Sequence, residues 1–182
     1  MRPLRLLILM LVLVAALLVA LMRPLPTLAG DTIAAAKKGT RKTSTRAAAR
    51  RQHMLAKRRL DHKRRAALVK YSKRFIGTPY SWGGSSPRTG FDCSGFVRYV
   101  FQHFNISLPH SSYGQEARGR SVLRKYLMPG DLVFFNGGGH VGIYIGRNRL
   151  IDAPHSGAVV HISTMTDWYS YDYSGGRRIL PS

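Results

Sequence analysis

The chain has 182 residues, with 29 Lys and Arg against 8 Asp and Glu, for a formal net charge of +21. That length suits one ordinary domain with appendages. A single cysteine, Cys93, excludes an internal disulfide framework. The basic charge is uneven: residues 37–65 carry 13 Lys and Arg, as many as residues 66–182, which describes a basic segment joined to a mildly basic domain.

Residues 1–29 read as an export signal. Arg2 and Arg5 precede an uninterrupted apolar run, Leu6 to Leu21, which Arg23, Pro24 and Pro26 end. The run is shorter than the roughly 20 residues a membrane span needs, and Thr27-Leu28-Ala29 offers a small-residue cleavage site after Ala29. An uncleaved signal anchor is the rival. Either places the remainder outside the cytoplasm, in the periplasm or at the cell wall.

Residues 30–65 read as a basic arm. The first part, to about residue 45, is small and polar and reads as a disordered linker. From Thr45 the residues are strong helix formers, with no Gly or Pro until Gly77. Apolar residues are too sparse there to bury a face. Such an arm attracts polyanions through counterion release, and an anionic membrane or a cell-wall polymer is its expected partner. With no aromatic interleaving, zinc pattern or heptad seam, specific nucleic-acid recognition is not expected. A monomer is expected.

The domain begins near residue 66. Apolar residues at 68, 69, 71, 75 and 76 follow helical spacing. A Gly/Pro/Ser-rich loop from Thr78 to Gly90 carries Tyr80 and Trp82. Asp92 is placed to cap a helix through Phe96, Val97, Val100, Phe101 and Phe104, with Cys93 at its start, where free N–H groups favour a thiolate. Beyond Leu127, short β-rich runs are bounded by turns: Leu132 to Phe135, His140 to Gly146, Arg149 to Ala153 and Ala158 to Ile162. Arg147-Asn148 reads as a hairpin connection. Helices first and strands afterwards predict an α+β domain with an antiparallel sheet packed on the Cys93 helix.

A lone thiol in an exported protein has no disulfide partner, so chemistry is the reading that explains it. It needs a base and a group to orient the base. His140 follows three glycines at the start of a strand, and Asp152 ends the next strand. Neighbouring antiparallel strands put the two on one face, with the Cys93 helix expected to lie across it. A zinc site of Cys93, His140, His155 and His161 lacks close-spaced ligand pairs. No metal or cofactor is expected.

Four ordered motifs, Thr78-Pro79-Tyr80-Ser81-Trp82-Gly83-Gly84, Phe91-Asp92-Cys93-Ser94-Gly95-Phe96, Pro129-Gly130-Asp131-Leu132-Val133-Phe134-Phe135 and His140-Val141-Gly142-Ile143-Tyr144-Ile145-Gly146, resemble those of the NlpC-type cell-wall cysteine peptidases over roughly residues 66–180. The resemblance implies a papain-like α+β fold, with N-terminal helices on an antiparallel sheet of about five strands and Cys before His in the chain. It implies hydrolysis of amide bonds in peptidoglycan stem peptides, often between D-glutamate and a diamino acid. By motif position Cys93 is the nucleophile, His140 the base and Tyr80 an oxyanion-side helper, while Asp92 and Ser94 hold the amine end of the substrate. The third position, often His in that family, is Asp152 here, with His155 and His161 as alternatives. His161 sits between Val160 and Ile162 and reads as solvent-facing. His110 is a groove candidate, Asp131 a turn residue and Arg177-Arg178 solvated charge. A non-catalytic wall- or polyanion-binding module, and an acyltransferase on a related scaffold, are the alternative functions.

Overall fold

The computed structural model describes residues 29–166 and 168–180. The apolar run Leu6 to Leu21, read above as an export signal, lies outside them. Among the described residues no helix is long and apolar enough to cross a membrane.

A long helix, α1 (Ala29–Ser72), runs through the arm and into the domain. The stretch read as a disordered linker is thus helical, as its Ala and Lys content permits at the cost of one interior glycine, Gly39, about 1 kcal/mol. Residues 45–60 are exposed throughout, so the arm presents its charge to solvent. The chain divides into two compact units, with the boundary after Gln52. In the second, the packing that ties α1 to the domain begins before residue 66. Arg65 is 2% exposed and donates to Asp61 one turn back, to the Pro129 carbonyl and to Asp131.

A two-stranded ribbon, β1 (Ser85–Ser86) with β2 (Gly90–Phe91), leads into α2 (Cys93–Gln102). Asp92 is its N-cap, accepting from Gly95 N at 2.6 Å. Phe96, Val97, Val100 and Phe101, one and four residues apart, form one fully buried face. A short helix, α3 (Ser112–Glu116), follows.

The main sheet has six strands rather than about five. In chain order they are β3 (Arg120–Ser121), β4 (Leu132–Phe135), β5 (His140–Gly146), β6 (Arg149–Asp152), β7 (His161–Thr164) and β8 (Tyr173–Arg178), with α4 (Trp168–Tyr171) before the last. The spatial order is β3-β8-β4-β5-β6-β7, every pair antiparallel. Two-residue β3 is the edge strand the sequence does not announce. The turn between β5 and β6 holds Arg147 and Asn148 at φ 53° and 56°, the paired left-handed conformation that matches strand twist in a two-residue hairpin.

Strand β4 is buried on both faces, which its continuous Leu-Val-Phe-Phe run requires. Leu132 and Phe134 join Val141, Ile143 and Ile151 against α2. Val133 and Phe135 join Leu150 and Met165 on the other side. Each fully buried side chain of this size contributes about 1.5–3 kcal/mol.

Two readings change at the sheet's far side. Arg177 and Arg178 are strand residues, and Arg178 forms a two-point ion pair with Asp131, at 2.9 and 2.6 Å. Asp131 is fully buried. It accepts from Met128 N and holds Arg65 at 3.0 Å, so it anchors the domain as well as making the turn.

Candidate active site

Cys93 opens α2, where the first N–H groups have no intrahelical partners. Gly95 is required there: a Cβ would collide with the Gly84 carbonyl oxygen, and only a bare Cα lets the preceding loop fold over the helix start. Asp92 fixes this corner through both carboxylate oxygens. Oδ1 accepts from Gly95 N and, at 2.9 Å, from the Ser94 hydroxyl, while Oδ2 accepts from Gly83 N at 3.1 Å. The His110 ring closes on the same carboxylate, with Nε2 3.0 Å from Oδ2. Gln115, fully buried, donates to the Ser94 and Pro109 carbonyls.

His140 begins β5. Its alternation with Gly142 and Tyr144 puts it on the face of Phe135 and Tyr169, opposite the face of Val141 and Ile143 on which α2 packs. The helix therefore does not lie across the imidazole's face. Cys93, at the start of that helix, shares one cleft with His140, and its sulfur raises the ring's affinity for a proton. The ring's Nε2 is 2.8 Å from Asp152 Oδ2. Continuing the β5–β6 register, Asp152 stands across from Gly142, diagonal to His140. A Cβ on Gly142 would lie 3.1 Å from Asp152 Cβ, so the missing side chain opens the carboxylate's path to the ring.

Asp152 is fully buried. It accepts from the Ser163 hydroxyl at 2.7 Å and from the Tyr169 hydroxyl at 2.8 Å, besides His140. Burial raises a carboxyl's pKa, but the hydrogen bond and charge of His140, with the two hydroxyls, outweigh it and hold Asp152 below its ordinary value. For His140, burial pushes downward, and the hydrogen bonds and charges of Asp152 and Cys93 overcome that and hold the ring at about 9. The Tyr169 phenol is raised, by burial and by the Asp152 charge.

Cys93 and His140 line a cleft of about 580 Å³ with Tyr80, Phe135, His161 and Tyr169 among its walls. Trp82 stands on its rim, 88% exposed. Burial, then the charges of Cys93 and Asp92, raise the Tyr80 phenol. Asp172 also reaches the cleft. Asp92 and Ser94 do not line it; they sit behind Cys93. His155 lies exposed on the cleft wall, its Nδ1 on the Ser156 carbonyl. His161 faces the cleft and Ser163 rather than open solvent. Among the described residues no group of three or more His, Cys, Asp or Glu is arranged to hold a metal ion.

The arrangement can pass a proton from sulfur to imidazole and stabilise the resulting ion pair, which is what an acyl-transferring thiol needs. Residues 77–178, more than half of the chain, match the NlpC/P60 family. The chain belongs to that family. NlpC/P60 relatives include the murein DD-endopeptidase MepH of Escherichia coli (strain K12), 40% identical over 114 residues, 58% of this chain and 42% of the relative. The gamma-DL-glutamyl hydrolase of Bacillus subtilis (strain 168) is 41% identical over 117 residues, 61% of this chain and 28% of the relative. Among solved structures, the peptidoglycan hydrolase RipB of Mycobacterium tuberculosis is 30% identical with a TM-score of 0.60, over 67% of each chain. The chain thus spans less than half the length of these two curated relatives.

Three parts of the candidate site go beyond what the sequence analysis assembled. Ser163 could have been suspected, since it lies two residues from His161 on one strand face. The Asp92–His110 pair could have been suspected from two polar residues flanking the helix. Nothing in the sequence singles out Tyr169.

Proposed function

We propose that the chain is a cysteine endopeptidase that hydrolyses amide bonds in peptidoglycan stem peptides, of the D-glutamyl–diamino acid type. The observation that carries this is the Cys93 thiol and the His140 ring on one cleft, with buried Asp152 2.8 Å from the ring's Nε2. The names of the E. coli and B. subtilis relatives support peptides of D-configured residues as the substrate class.

Cys93 is the nucleophile. Its proton passes to His140 Nδ1, since Nε2 is held by Asp152, and the thiolate adds to the scissile carbonyl. The oxyanion forms at the helix start, where the Cys93 N–H and the Tyr80 phenol are the donors proposed to meet it. The imidazolium gives its proton to the leaving amine, breaking the C–N bond and leaving a thioester. Water, deprotonated by His140, then releases the acid and restores the thiol. Asp152 holds the ring and balances its positive charge. The resemblance gave Asp92 and Ser94 a substrate-amine role. The bonds of Asp92 to Gly83 N, Ser94, Gly95 N and His110 favour anchoring the nucleophile's helix.

The test is mass spectrometry of products from defined muropeptides. Wild-type protein should release fragments cut after D-glutamate, and Cys93→Ala and His140→Ala should release none. A Cys93→Ala protein with full hydrolytic activity would end this reading, and products cut only at D,D cross-links would move the scissile bond.

We further infer an exported protein, supported by the apolar run Leu6 to Leu21, and an arm that holds it to an anionic membrane or wall polymer, supported by the exposure of residues 45–60.

A further inference from the structure

Asp152 takes three hydrogen bonds, and only one comes from the base. The hydroxyl of Ser163, 7% exposed, donates to Oδ1 at 2.7 Å. A serine has one hydrogen to give, so its oxygen is left as an acceptor for its other neighbour, His161 Nε2, at 3.0 Å. The second ring nitrogen, Nδ1, lies 2.9 Å from the Val159 carbonyl, which only accepts. Both nitrogens of His161 therefore face acceptors. A neutral imidazole has a single N–H and serves one of them; the imidazolium serves both. With the neutral ring's hydrogen on Nδ1, the side where the Val159 carbonyl can only accept, Asp152 and the bare Nε2 compete for the one Ser163 hydrogen.

The strands hold this chain of contacts in place. Asp152 is registered directly opposite His161 in the β6–β7 pair, which puts Ser163 on the diagonal. From this geometry we propose that Ser163 and His161 are positioning residues: a ring-to-hydroxyl relay keeps Asp152 seated against His140, and it is complete when His161 carries both protons. The proposal rests on the peptidase reading of Cys93 and His140. The titratable groups around His161 are Asp152 from β6, His140 from β5, Cys93 from α2, and Tyr80, His155, Tyr169 and Asp172 along the cleft.

The full-length protein is assayed on a defined muropeptide across pH as wild type, Ser163→Ala, Ser163→Thr and His161→Gln. Ser163→Ala should lower kcat about tenfold with KM little changed, the effect of one lost hydrogen bond to a charged group, and Ser163→Thr should restore it. The wild-type profile should lose activity as His161 deprotonates, a limb that His161→Gln and Ser163→Ala both lack. An unchanged kcat in Ser163→Ala, or that limb persisting in both variants, overturns the relay. If the wild type cleaves nothing, the peptidase reading falls by itself, and the relay is read without turnover from the imidazole N–H resonances of His140. Its Nε2–H signal should follow the His161 titration and move in Ser163→Ala; a signal indifferent to both overturns the proposal.

Discussion

Asp152 has no exposed surface and yet sits below the ordinary carboxylate range, because three donors converge on it, one of them the His140 imidazolium. Its partner His140 is held at about 9. Loss of the His140 proton should therefore set an alkaline limit on kcat/KM near pH 9, and Asp152→Asn should move that limit toward neutrality while costing about 10²-fold or more in rate. The same pair links stability to pH. The raised His140 contributes stability in full below its ordinary value of 6.5 and loses it as pH rises through about 9. The depressed Asp152 contributes above the ordinary carboxylate value and loses it as pH falls through its lowered one. The melting temperature should thus pass through a plateau with an alkaline decline, and His140→Ala should remove that decline. The pairing was legible because His140 and Asp152 lie on neighbouring strands joined by a two-residue turn. The groups that fix Asp152 were not, since Ser163 and Tyr169 come from β7 and α4 and carry no spacing signal relative to it.

At the scale of elements, α2 was readable in full: the Asp92 cap, Cys93 and the buried face all lie within ten consecutive residues. Strand β8 was not, because Tyr173 to Arg178 contains two glycines and two arginines and resembles a charged tail. Antiparallel pairing with β4 and β3, both far back in the chain, makes it a strand. Asp131 shows the same limit. It looked like a turn residue, and it is where α1, β8 and the turn before β4 converge, through Arg65, Arg178 and Met128 N. Asp131→Ala would leave two arginines without their shared counter-charge in a buried setting, an expected loss of about 3–5 kcal/mol. Urea unfolding of the two proteins measures it, and a loss under 1 kcal/mol would mean that the arginines find other partners.

Across the whole molecule, charge is segregated from chemistry. The arm holds a dense basic stretch whose described side chains are exposed from residue 45 to 60, while the cleft is built with Asp152 behind it and Asp172 on its wall. Replacing Arg46, Arg50, Arg51, Lys57, Arg58 and Arg59 with Gln should abolish co-sedimentation with sacculi or anionic vesicles at low salt, leaving turnover of a small soluble muropeptide as it was. Whichever of the two materials retains the wild type identifies the polymer, and binding indifferent to salt would remove the arm's electrostatic role. One further property follows from the indole at the mouth of the cleft. Trp82 is bathed in water, and the sequence contains only one other tryptophan. A peptide settling over that ring would dry it and shift its emission to shorter wavelength, so the native chain carries an optical gauge of ligand arrival that needs no attached dye.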